Sequence, residues 1–141
     1  MFPIFEYFMD GTALYERMVI PVCREFALTY MEFTVLMFLY NNPQYDTAAQ
    51  IVSVRQLTKS HVSMTVKSLR ERRLIEGIYF HGNHKTLHLR LTPAAEPVIK
   101  AGSAAQEAFG TQLVKGMSQE EIKQLIRLKE RIHANMKWEN L

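Results

Sequence analysis

Apolar residues recur at helical spacing along most of this chain and alternate at period two in one short stretch past its middle. Residues 4 to 27 carry Leu14, Met18, Val22 and Phe26 at steps of four, with Tyr15 and Val19 widening the stripe. That pattern predicts an amphipathic helix, weakened by Gly11 and kinked near Ile20, because Pro21 cannot donate and crowds the preceding turn. So long a stripe so early predicts packing against a partner subunit. Thr29-Tyr30-Met31-Glu32 forms a capping box, and the helix it opens, about 30 to 41, is apolar nearly all round and is expected at the centre. Asn41-Asn42-Pro43 ends it, a short helix over about 47 to 54 follows, and Arg55-Gln56-Leu57 makes a turn.

The next stretch changes character. Thr58 can cap a helix in which Val62, Val66, Leu69 and Arg73 share one face, while Ser60, His61, Met64, Lys67 and Ser68 share the other. Ile78-Tyr79-Phe80 and the alternating run Leu87 to Leu91 then predict a β-hairpin, turning through His81-Gly82-Asn83-His84-Lys85. Thr92-Pro93 starts a helix over 93 to 115, rich in Ala and interrupted by Pro97, Gly102 and Gly110. Gly116 ends it. Ser118 and Glu121 make a second capping box for a final helix of about 119 to 138, striped by Ile122, Leu125, Ile126, Leu128, Ile132 and Met136.

Composition narrows the picture. The chain of 141 residues is one domain's worth, with room for an appended oligomerisation element, and 48% apolar and 22% charged residues fit a folded protein. No apolar run is long enough for a membrane span. The aromatic start MFPIFEYFMDGT carries Glu6 and Asp10 without a basic lead, unlike a signal peptide. The single cysteine, Cys23, excludes an internal disulfide framework and suits a cytoplasmic location. Net charge is +3, but unevenly placed: residues 1 to 54 carry −4, residues 55 to 90 carry +6 and the remainder carries +1. A basic helix with small polar residues on its outer face, followed by a basic hairpin, has the chemistry to enter the major groove of double-stranded DNA. The hairpin would act as a wing reaching phosphates or the minor groove.

In its order of elements the chain resembles the multiple antibiotic resistance regulator (MarR) family of winged helix-turn-helix proteins over about residues 10 to 138. The resemblance is carried by Ser60, Val62, Ser63, Leu69, Leu74 and Ile75, then by Leu89, Leu91, Thr92 and Pro93, with helix starts at Leu28-Thr29 and Met117-Ser118. It implies a mainly α fold with a small β-hairpin wing. Residues 29 to 92 would form the winged helix-turn-helix and residues 1 to 28 and 93 to 141 the dimerisation helices, in one compact domain. It further implies a homodimeric transcription regulator, a repressor on a pseudo-palindromic operator, with the two readers one helical turn apart and their spacing modulated by a small molecule, oxidant or metal bound between the dimerisation and DNA-binding parts. Five positions depart from the family pattern: Met64 where an Arg is frequent, Asn83 and Lys85 where the wing tip commonly has Asp-x-Arg, and Gln56 and Arg73 where two glycines are usual.

The expected DNA-binding residues are Arg55, Thr58, Lys59, Ser60, His61, Ser63, Met64, Lys67, Ser68, Arg72, Asn83, His84 and Lys85. His61 either donates to a base or stays idle at the surface, and Met64 offers only apolar contact. Tyr30, Phe33, Met37, Tyr40 and Phe109 either line a pocket for a small apolar or aromatic effector or are ordinary core. His81, His84 and His88 lack the cysteine or acidic company of a metal site, and Cys23 reads as a small buried hydrophobe more readily than a redox sensor. No cofactor is expected. No phosphate loop, nucleophile-base pair or carboxylate pair points to an enzyme. Two alternatives stay open: a winged-helix module whose basic face meets an acidic protein, and a DNA-binding regulator with no effector.

Overall fold

The computed structural model describes residues 4–137 and residue 139. The elements are helix α1 (Ile4–Glu25), α2 (Tyr30–Asn41), α3 (Ala48–Arg55) and α4 (Lys59–Glu71), strands β1 (Ile75–Ile78) and β2 (His88–Leu91), a 3-10 turn (Pro93–Ala95), and helices α5 (Glu96–Leu113) and α6 (Gln119–Asn135). The chain divides into two compact units, Met1–Glu107 and Ala108–Leu141.

Local chemistry sets most helix starts. Thr29 accepts from the Glu32 N–H at 3.0 Å while the Glu32 carboxylate accepts from the Thr29 N–H, also at 3.0 Å. The same reciprocal box joins Thr47 to Gln50 and Ser118 to Glu121. Each box satisfies N–H groups that a helix start leaves without partners. Thr58 caps α4 through the N–H of His61.

In the first unit, α2 is the central element, as its all-round apolar sequence predicts. Phe33, Val35, Leu36, Met37 and Phe38 are all essentially inaccessible to solvent. Val19, Val22 and Cys23 of α1, Ile51 of α3, Val62, Val66 and Leu69 of α4, Ile75 and Leu89 of the sheet, and Val98 and Ile99 of α5 complete one apolar cluster. Close approach of α5 to α2 needs Gly102: a Cβ there would stand 2.6 Å from the Met37 sulfur and 2.9 Å from the Phe33 ring. Gln106 fastens α5 further along, donating to the Tyr15 hydroxyl of α1 and accepting from Asn41 Nδ2 of α2, each at 2.9 Å.

Several boundaries differ from the sequence reading. Strand β1 begins at Ile75, and the antiparallel ladder runs from Ile75↔Leu91 to Ile78↔His88. Ile75 is buried in the core, so burial sets the start of the strand, and Tyr79 and Phe80 fall outside it, exposed. Arg73 is not on the buried face of α4. It lies beyond the helix with φ 59, exposed, where the left-handed turn brings Leu74 back toward the core. Thr92 does not cap α5; its hydroxyl donates instead to the Arg73 carbonyl at 2.6 Å, and Pro93 opens a 3-10 turn. Pro97 does not interrupt α5, because it sits in the first turn, where the missing N–H has no intrahelical partner to lose. Helix α1 continues through Pro21 to Glu25. Helix α6 ends at Asn135, while the predicted end at 138 lies outside the described residues.

Candidate DNA interface

Thr58 and the buried residues Val62, Val66 and Leu69 fix which side of α4 faces out. That side presents Lys59, Ser60, His61, Ser63, Met64 and Lys67, all exposed. Thr65 is turned in, its hydroxyl donating to the His61 carbonyl at 2.8 Å. The outer face is therefore cationic at both ends, with small polar residues, one imidazole and one thioether between them.

Two of the expected DNA-binding residues are held by contacts within the protein. Ser68 is half-buried and donates to Glu32 Oε2 at 2.9 Å. Arg72 folds back under the helix: Nη1 lies 3.2 Å from Glu32 Oε2 and 3.0 Å from the Ala27 carbonyl, and Nη2 lies 3.0 Å from the Phe26 carbonyl. Those carbonyls follow the end of α1, where a helix leaves acceptors unfilled and favours a cation. Glu32 thus has two duties, capping α2 and anchoring the last turn of α4. Burial, the largest single influence, would push its carboxyl up. The bonds from Thr29, Ser68 and Arg72 and the Arg72 charge outweigh it and hold the group below the usual carboxylate range.

Arg55 and Asn83 also have structural duties. The Arg55 guanidinium lies 4.9 Å from the centroid of the Phe38 ring, a cation–π contact joining α3 to α2. Asn83 shapes the wing tip, its Oδ1 accepting from the N–H groups of Lys85 at 3.0 Å and Thr86 at 3.3 Å. Gly82, with φ 81, supplies the left-handed turn just before it. His84 and Lys85 remain exposed at the tip, with the His84 ring 6.0 Å from that of Tyr79. Thr58 is exposed, but its side-chain oxygen is engaged as the cap of α4.

The wing is tied down by a residue the sequence reading missed. The Asp46 carbonyl accepts from the Leu89 N–H at 2.7 Å, and its carboxylate lies 2.9 Å from His88 Nδ1. The Phe80 ring packs against that imidazole, with centroids 4.2 Å apart and the planes tilted by 32°. His88 is thereby fixed to the loop between α2 and α3, while His84 lies in the loop between β1 and β2. Among the described residues, no group of three or more His, Cys, Asp or Glu is placed to hold a metal ion.

The effector candidates of the first unit differ in exposure. Phe33 and Met37 are core residues against Gly102, and Tyr30 and Tyr40 are 39% and 51% exposed. Phe109 belongs to the second unit. A cavity of about 390 Å³ does open beside the wing, lined by Tyr40, Tyr45, Asp46, Phe80 and His88 among others. Cys23 is buried, and burial pushes its thiol up, which suppresses the reactive thiolate.

A three-helix core, a capped outward helix after a tight turn, and a two-stranded hairpin behind it define a winged helix-turn-helix protein. Residues 28–78 match the MarR family model, so over that segment the chain is similar to the MarR family. Solved structures share the fold. A MarR family regulator from Listeria monocytogenes, complexed with DNA, is similar at a TM-score of 0.82 and 20% identity, over 94% of this chain and 87% of that one. Staphylococcus aureus MepR bound to DNA gives 0.76 and 18%, over 97% and 98%. Staphylococcus aureus MarR with salicylate and kanamycin gives 0.74 and 19%, over 92% and 87%. No curated protein matches the chain in sequence. Among the described residues no helix is long and apolar enough to cross a membrane.

Proposed function

We propose that this protein is a cytoplasmic, homodimeric repressor that binds a pseudo-palindromic stretch of double-stranded DNA and is released by a small apolar or aromatic effector. The observation that carries the reading is the outer face of α4. Lys59, Ser60, His61, Ser63 and Lys67 stand exposed there on a helix whose roll is fixed by a buried face and a buried carboxylate. Small side chains allow close approach to the groove, lysines neutralise phosphates, and Lys85 adds a further cation at the wing tip. The similar structures from Listeria monocytogenes and Staphylococcus aureus that hold DNA support the same use of this fold.

Two exposed apolar faces support the dimer. Phe5, Tyr7, Phe8 and Met9 are exposed near the start of α1, and Leu125, Ile126, Leu128, Ile132 and Met136 are exposed along α6 and its cap. Apolar stripes of that length in water are unfavourable unless a second surface covers them. The effector is supported by the salicylate-bound Staphylococcus aureus structure and by the cavity beside the wing. A ligand there would touch both the α2–α3 loop and the hairpin.

Fluorescence anisotropy with a labelled random-sequence duplex at low salt, alongside light scattering for mass, tests the reading. Saturable binding by a species of twice the chain mass is the expected result. Binding to an acidic polypeptide with none to DNA would replace it with a protein-interaction module.

A further inference from the structure

Met64 is the most exposed of the large apolar side chains among the described residues, at 71%. It stands in the middle of the polar face of α4, one turn from Ser60 and His61 on one side and Lys67 on the other. It takes no part in the apolar cluster that holds α4 to the core. Folding therefore gives no account of an unbranched thioether at this position. Nor does charge.

The contacts within the protein also narrow what can reach a base edge. Ser68 and Arg72 are drawn to Glu32, and Thr65 is turned in. Ser60, His61, Ser63, Met64 and Lys67 remain, and of these Met64 alone has no hydrogen-bonding group of consequence in its side chain. The major groove offers donors and acceptors on every base pair and one apolar feature, the C5 methyl of thymine. A side chain with three rotatable bonds and a polarizable sulfur can settle on such a methyl while serines beside it leave room for the approach.

We infer that Met64 is a specificity-determining residue that reads the 5-methyl group of a thymine in each half-site. The inference rests on the DNA-binding reading above and sharpens it to one base and one atom. Where an arginine at this place would favour guanine, this chain favours an A·T pair.

The test starts from wild-type protein selecting its preferred sequences out of a pool of random duplexes. The selected duplexes are then remade with uracil in place of each thymine in turn, which removes only the methyl. One thymine per half-site is expected whose replacement weakens wild-type binding about fourfold, the effect of one buried methyl group. Met64→Ala binds the thymine and uracil duplexes alike, while Met64→Leu, which keeps an apolar end, retains most of the discrimination. Two outcomes overturn the inference: no thymine whose methyl matters to the wild type, or a loss at that position that persists undiminished in Met64→Ala. Failure to select any duplex at all would instead overturn the DNA-binding reading, and the inference with it.

Discussion

The Arg72 guanidinium lies 3.2 Å from the Glu32 carboxylate, which is buried at the start of α2, and the same guanidinium caps the two carbonyls that follow α1. One side chain thus ties the last turn of the outward helix to both of the helices beneath it. Glu32→Ala should lower stability by about 2–3 kcal/mol in urea unfolding, since it removes a cap and leaves an arginine short of its partner. Solvent access to Arg72 keeps the figure below that of a fully buried pair.

Because the Glu32 carboxyl is held low in the folded state, its contribution to stability is complete above the unfolded value of about 4.3 and is lost as pH falls through the lower folded value. Glu32→Gln removes that dependence, so its unfolding free energy should be flatter than the wild type's below about pH 4.3. An acid limb identical in both proteins would show that other carboxylates govern it.

Gln56 closes α3 with φ 53, and no glycine stands there to accept that conformation freely. Gln56→Gly should raise stability by about 0.5–1 kcal/mol, the relief of left-handed strain exceeding the added freedom of the unfolded chain. The check is a higher urea midpoint at unchanged slope. Arg73, at φ 59, stands in the same conformation after α4. Both are left-handed positions, a conformation that glycine adopts without a steric cost.

These contrasts locate what the sequence made legible. Caps were readable because Thr29 and Glu32, Thr47 and Gln50, or Ser118 and Glu121 lie three residues apart, and the chemistry is complete within one turn. The outward face of α4 was readable because Val62, Val66 and Leu69 declare the inward one. The reach of Arg72 to Glu32, 40 residues away, has no local signal, and a surface arginine beside a basic helix looks the same whether it meets phosphate or carboxylate. Asp46 was missed for the same reason, its partner His88 being 42 residues distant. The start of β1 was displaced because Leu74-Ile75-Glu76-Gly77 has a glycine and no clean alternation, and burial of Ile75 decided it.

Asp46→Ala should loosen the wing without unfolding the core. The carbonyl bond to Leu89 survives the substitution, so the cost is about 0.5–1 kcal/mol for one partly exposed side-chain bond. Hydrogen exchange should accelerate at Ile78 and His88 while amides of α2 stay protected. Acceleration across α2 would show that the contact supports the core itself.

The outward residues divide by chemistry. Lys67→Ala removes a point charge, so it should weaken binding to every sequence alike and lower the salt slope by about 2 for a dimer. His61→Ala should shift sequence preference while leaving the slope in place. Arg72→Ala, at a temperature where it is folded, should leave the slope unchanged, because its charge is spent inside the protein. A slope lowered as far as in Lys67→Ala would return Arg72 to the DNA-facing set.

In the proposed homodimer, α4 and the wing hold a polyanion through Lys59, Lys67 and Lys85 of each copy. Six neutralised phosphates predict that log affinity for random duplex DNA falls against log salt with a slope of about −5, or roughly a thousandfold between ~50 and ~200 mM. Replacing the three lysines with alanine should remove most of that slope. A flat salt profile in the wild type, or a steep one that survives the triple replacement, would contradict that role of the three lysines.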